Sequence, residues 1–187
     1  VFEHNDGSFS PNIAFEATFS ERNVFRHNRA DNCNFGFWLG YSSHTTVEDN
    51  SISGNRIAGV AIEHGHHNHI QKNKLVRNRA GMKFWVGANP VFTSFFPQHA
   101  ESYATEIHQN ELTRNELGIH IYTESGTSDV RCHSFHIQNN TLNDNRIAIQ
   151  LERARQCDIL NNLIKQNVEM GIKMVGCKDM NIHSNEM

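Results

Sequence analysis

Two short stretches of this sequence pair a reactive side chain with an aromatic one two residues later. They are Gly81-Met82-Lys83-Phe84-Trp85 and Gly118-Ile119-His120-Ile121-Tyr122. β-Elimination or C5-epimerisation of a uronic acid needs a cation on the carboxylate and a base near the C5 proton. Lys83 or Arg153 can supply the first, and His120 or Tyr122 the second. A lysine close to other cations has a lowered pKa and can itself serve as base. Around these four, Trp38 and Trp85 can stack on sugar rings, and Glu63, His64, Gln150, Glu152 and Lys173 can bind hydroxyls or carboxylates. These residues are far apart in the chain, so a regular framework must gather them.

That framework is a repeat. Val47-Glu48-Asp49-Asn50-Ser51-Ile52-Ser53-Gly54-Asn55 reads apolar-x-x-Asn-x-apolar-x-x-Asn, and the pattern returns at 70–78, 107–115, 137–145 and 159–167. Asn23-Val24-Phe25-Arg26-His27-Asn28 reads as a looser early copy, with Asn23 as its first asparagine. A third segment follows each unit: Gly59-Val60-Ala61-Ile62, Gly81-Met82-Lys83-Phe84, Gly118-Ile119-His120-Ile121, Ala148-Ile149-Gln150-Leu151, Gly171-Ile172-Lys173-Met174. Apolar residues at every second place are strand periodicity, not helix periodicity. About 22 residues at roughly 3.3 Å each make one triangular turn of a coil. One turn cannot bury its own apolar side, so turns must stack. The expectation is an all-β solenoid of about seven turns with three short parallel strands per turn. Asn50, Asn73, Asn110, Asn140 and Asn162 are expected to form one hydrogen-bonded ladder, each taking left-handed or bridge geometry at a corner. Asn55, Asn78, Asn115, Asn145 and Asn167 are expected to form a second.

Alternation then sorts the third segments. With Val60 and Ile62 inside, one outward column runs Ala14, Trp38, Ala61, Lys83, His120, Gln150, Lys173. The other runs Glu16, Gly40, Glu63, Trp85, Tyr122, Glu152, Val175, with His64 and Arg153 at the rim. Insertions at about 87–104 and 123–133 both follow this strand and can rise as a wall. Two readings stand side by side: a binding groove, or a solvated face of cross-strand pairs whose tryptophans the insertions cover. Hydrolysis fits less well, since paired carboxyls sit roughly 5 to 9.5 Å apart. Glu63 and Glu152, three turns apart, are about 14 Å apart by strand spacing, and the position of Glu124 is left open. In Glu63-His64-Gly65-His66-His67-Asn68-His69, His67 stacks above His44. That pair is a weak candidate for copper or zinc, in a segment that also reads as an ordinary polar turn.

Composition sets outer limits. A chain of 187 residues reads as one domain with a real core, and twelve Phe support a packed interior. Net charge is −3, which gives no basic footprint for nucleic acid, and thirteen His make the charge sensitive to pH near 6. No apolar run approaches a membrane span, about 20 residues. Cys33, Cys132, Cys157 and Cys177 show no CxxC spacing and read as mostly buried thiols, with one disulfide possible. A start at Val1 without Met suggests a trimmed product without a signal peptide of its own. The last unit stops part-way round a turn, so the chain is expected to be a piece of a longer one, or to meet another subunit or copy end to end.

The repeat units resemble those of the pectate-lyase-like superfamily of right-handed single-stranded parallel β-helices, especially its NosD-like and carbohydrate-binding sugar-hydrolase group, over residues 12–187. The resemblance implies that the ladder asparagine lies between the second and third strands. The Gly-apolar-x-apolar strand is then the first, whose outer face forms a substrate groove. It also implies a secreted or periplasmic setting and an acidic polysaccharide as partner, with lyase or epimerase activity left open. No cofactor is expected, a divalent cation such as calcium being the one exception. The alternatives are a non-catalytic polysaccharide-binding or scaffold module and a NosD-like periplasmic metal-handling protein. The Asp-Pro-His signature of alginate epimerases and the paired aspartates of polygalacturonase-like hydrolases are missing.

Overall fold

A computed structural model describes residues 1–88 and 90–187. Asn89, within the insertion expected at 87–104, lies outside the described residues. The chain coils into a parallel β-helix. Among the described residues, its strands form an eight-stranded, a six-stranded and a seven-stranded sheet, with a short three-stranded one beside them, and every pairing is parallel. The seven-stranded sheet consists of Ile13–Glu16, Phe35–Trp38, Ala58–Glu63, Ala80–Val86, Leu117–Thr123, Ile147–Glu152 and Met170–Val175.

Register follows the apolar repeat. Phe25, Val47, Ile70, Ile107, Ile137, Ile159 and Ile182 lie opposite one another turn by turn. The first six are fully buried along the axis of the coil. Phe37, Phe84 and Phe135 fill the same core. At two turns the glycine that opens the third segment is required by close approach. A Cβ on Gly81 would stand 2.7 Å from the Gly118 carbonyl oxygen, and one on Gly118 would stand 2.4 Å from that of Ala148.

Both asparagine ladders form. Asn50 Nδ2 donates to Asn73 Oδ1 at 2.9 Å, Asn73 to Asn110 at 3.1 Å, Asn110 to Asn140 at 3.0 Å and Asn140 to Asn162 at 3.0 Å. Each Oδ1 also accepts the backbone N–H of the previous asparagine, and each Nδ2 also donates to a core-strand carbonyl, as Asn73 does to Val47 at 2.8 Å. The second ladder runs Asn55, Asn78, Asn115, Asn145, Asn167. Buried amides are thereby satisfied, as burial demands.

Three sequence expectations change. The ladder asparagines are not the left-handed residues. The residue before each one is, as at Asp49 (φ 53°), Lys72 (φ 54°) and Gln109 (φ 57°), and this bend turns the following amide inward. The early turn enters the first ladder through Asn28, not Asn23, because Phe25 pairs with Val47 and the ladder position lies three residues on. In that turn Glu16, not Ala14, lies opposite Trp38. All four cysteines are free thiols, and Cys33, Cys132 and Cys157 are buried.

Candidate functional site

Strand register gathers the expected residues on one outer face. Lys83 lies between Ala61 and His120, Gln150 between His120 and Lys173, and Tyr122 between Trp85 and Glu152, while Trp85 also faces Glu63. Trp38 lies opposite Ala61. The polar edge of the face is a hydrogen-bonded set. His120 Nε2 is 3.1 Å from Glu152 Oε1, and Gln150 Nε2 donates to the same oxygen. Burial holds His120 below the ordinary histidine value, opposed by the hydrogen bond it donates to Glu152. Burial works to raise Glu152, but the hydrogen bonds from Gln150 and His120 outweigh it and leave the carboxyl below its usual range. Lys83 is pushed down by burial and by the charge of Arg79. Lys83, His120, Arg79 and Glu116 border a hollow of about 250 Å³.

The aromatic part of the face is closed. Trp85 is only 7% exposed, and Ala61 beneath it is fully buried. The Trp38 ring meets Trp85 edge-on at 5.4 Å, Phe35 meets Trp38 at 4.8 Å, and Trp85 lies parallel to Tyr122 at 6.3 Å. His120 stacks on Tyr122 at 4.6 Å, and Lys83 Nζ sits 4.7 Å from the centre of the Trp85 ring. These rings spend their faces on one another and on Lys83, a cation–π arrangement. Burial pushes the Tyr122 hydroxyl well above the usual tyrosine range, which makes it a poor base. Glu63 is raised by burial, although Trp85 and Tyr41 hydrogen-bond it, and Tyr41 is pushed up to about 12 by burial and by Glu63. Glu124 does come near Glu63: a Cβ on Gly87 would stand 3.0 Å from Glu63 Oε1 and 3.7 Å from Glu124 Oε2. Glu124 Oε2 is occupied by the Ala88 N–H at 3.0 Å.

The two residues expected at the rim are braces for the two insertions. His64 is fully buried, not at an open rim. Its Nδ1 lies 2.7 Å from the His99 carbonyl and its Nε2 accepts the Gly87 N–H at 3.0 Å, so both ends of the first insertion hang on one imidazole. The two partners fix the tautomer with the proton on Nδ1. The insertion carries a short helix, Pro90–Phe95, and a 3₁₀ turn, Pro97–His99. Arg153 grips the second insertion. Its guanidinium donates to the carbonyls of Glu124 at 2.5 Å and Thr127 at 2.6 Å, so it is not the free carboxylate clamp expected of it. His64 and Arg153 both adopt left-handed backbone, φ 52° and 50°. Left-handed geometry tips each side chain out of the strand alternation and toward the loop.

A second group of rings lies on the flank behind the first insertion; the expected stack of His67 on His44 forms there, whereas its partners His66, Tyr103 and His133 escaped sequence reasoning. Bridges place Ser43, His66 and Tyr103 opposite one another, and Tyr103 pairs with His133. His66 stacks on Tyr103 at 4.9 Å, and Tyr103 on His133 at 5.2 Å. His67 stacks on His44 at 5.0 Å with the rings 2° from parallel. Parallel rings present faces, whereas imidazole lone pairs lie in the ring plane, so this pair does not converge on one ion. The nitrogen that His67 does meet belongs to His66: their Nδ1 atoms are 3.0 Å apart. Adjacency in the sequence was the available signal, masked because neighbours on a strand ordinarily point to opposite sides. Among the described residues, no three His, Cys, Asp or Glu side chains are grouped to hold a metal ion.

Coiled parallel strands with asparagine ladders define a parallel β-helix protein. Residues 1–95 match the family model described as right handed beta helix region, and the chain belongs to that family. Residues 94–187 match the model described as periplasmic copper-binding protein (NosD), and the chain belongs to this family as well, as a NosD-like β-helix. No curated protein shows a significant match to the chain.

Proposed function

We propose that this chain is a non-catalytic, periplasmic β-helix module of NosD type that handles copper as cargo. One observation carries the non-catalytic part: the groups a lyase or epimerase would use on the seven-stranded sheet are engaged with the protein. Arg153 is held by loop carbonyls, Lys83 lies over Trp85, and Trp85 is buried. The family match over residues 94–187 supports copper. The donor chemistry fits an open site rather than a closed one. Imidazoles are good copper ligands, and His66 and His67 bring two ring nitrogens together, but no third donor joins them. Equilibrium dialysis against copper, followed by elemental analysis, tests the reading. It expects bound copper in stoichiometric amount, and a copper-free chain overturns it.

A second reading rests on the hollow beside Lys83. Two cations and an imidazole, Arg79, Lys83 and His120, border it together with Glu116. Such a lining suits an acidic polysaccharide held without turnover. Calorimetric titration with oligogalacturonate and oligoalginate expects binding that Lys83→Ala and Arg79→Ala abolish. Absence of heat with both polymers removes this reading.

A further inference from the structure

We propose that His66 and His67 form an open two-nitrogen landing site for copper, reached from the hollow behind the first insertion. This inference rests on the metal-handling reading above and names the residues that would carry it.

The geometry begins with the backbone. On a regular strand, adjacent side chains point apart. Here His66 sits in a bridged extended position while His67 takes φ 52°, and the left-handed step swings the second ring beside the first. The two rings stand 88° apart with their Nδ1 atoms at 3.0 Å. Two nitrogens each about 2.0 Å from one ion have that separation when they sit cis to each other. Without an ion, one Nδ1 carries the proton and the other accepts it. For both to ligate, that proton moves to Nε2 of its own ring through solvent, with no net release.

Each ring is held in place by the turn beside it. His66 lies flat on Tyr103 and His67 lies flat on His44. Little rotamer freedom is left to lose on binding. His66 also lines a hollow of about 320 Å³ together with His44, His99, Tyr41 and Glu21, and His67 is exposed to solvent. A further observation points to the same place. The His99 ring centre lies 5.8 Å from that of His66, and His99 Nδ1 is buried with no hydrogen-bond partner. An orphaned buried nitrogen is uncommon in a folded protein, and this one belongs to a ring beside His66.

Two protein donors leave coordination positions for water or for a side chain of a delivering or receiving protein. That is the requirement for passing an ion on rather than storing it.

The test is titration of the chain with copper(II) chloride, with affinity read against a competing chelator and donors read by electron paramagnetic resonance. The variants are His66→Phe, which keeps a ring to stack on Tyr103, and His67→Asn, since asparagine tolerates the left-handed backbone. His108→Ala is the control. The expected result is a copper signal with nitrogen donors whose affinity falls at least roughly tenfold in each variant and not in the control. Unchanged thermal unfolding shows that the variants are folded. Copper bound equally by the wild type and both variants overturns this site and leaves the metal-handling reading standing. A wild-type chain that binds no copper overturns both.

Discussion

The outer face of the seven-stranded sheet and the flank behind the first insertion are built by the same turns and end in opposite conditions. On the sheet, regular alternation places Trp38, Lys83, Trp85, His120 and Tyr122 so close together that they satisfy one another. On the flank, a left-handed residue in each turn breaks the alternation, and ring nitrogens remain next to an open hollow. A conspicuous row of reactive residues is therefore no guide to function by itself. What counts is whether their polar atoms and ring faces are still available once neighbouring turns are in place.

The contrast can be broken by mutation, beginning with the largest effect. Trp85→Ala should destabilise the fold by about 3 to 5 kcal/mol, since it removes a large buried ring, and a denaturant midpoint measures this. A small change would mean that the face is open after all. Asn110→Ala should cost about 3 kcal/mol, because the Asn73 N–H and the Ile70 carbonyl are left buried without partners. The ladder lies at the corner between the eight- and six-stranded sheets, outside both regions, so this loss should appear alike in probes of either one. Arg153→Ala should cost about 1 to 2 kcal/mol and raise hydrogen exchange around 124–129 selectively, because its hydrogen bonds go only to that insertion.

Next comes pH. Burial holds His120 below the ordinary histidine value of 6.5, so the unfolded chain binds its proton more readily. The stability this confers is complete above 6.5 and is lost as pH falls below that value toward the folded pKa. Thermal unfolding at about pH 7.5 and about pH 5.5 should differ less in His120→Gln than in the wild type. An equal difference in both would show that His120 does not set this pH dependence. The smallest effect belongs to the flank: His66→Phe should change stability by no more than about 1 kcal/mol, since the ring stacked on Tyr103 is kept and only the hydrogen bond to His67 is lost.

Much of this architecture was legible. The spacing Val47-x-x-Asn50-x-Ile52-x-x-Asn55 gives turn length, inward positions and ladders, because each turn must offer the next the same apolar and amide groups. From that register, the shared face of Lys83, Trp85, His120 and Tyr122 follows directly. Three things were not legible, each for a physical reason. Depth of burial depends on how rings interlock across turns, which hides Trp85 although it points outward. His64 and Arg153 depend on where insertions fold back, and loop paths are not periodic. The pairing of His66 with His67 depends on one backbone angle, which no alternation rule contains.

We propose that the sheet face turns over no substrate, its aromatic rings being packed on one another. The most direct measurement is to incubate the chain with a panel of uronic-acid polysaccharides and follow the absorbance of unsaturated ends, with the C5 configuration of the products checked by proton NMR. No unsaturated ends and no inverted residues are expected with any polymer. Product formed by the wild type and lost in His120→Ala or Lys83→Ala would contradict this proposal.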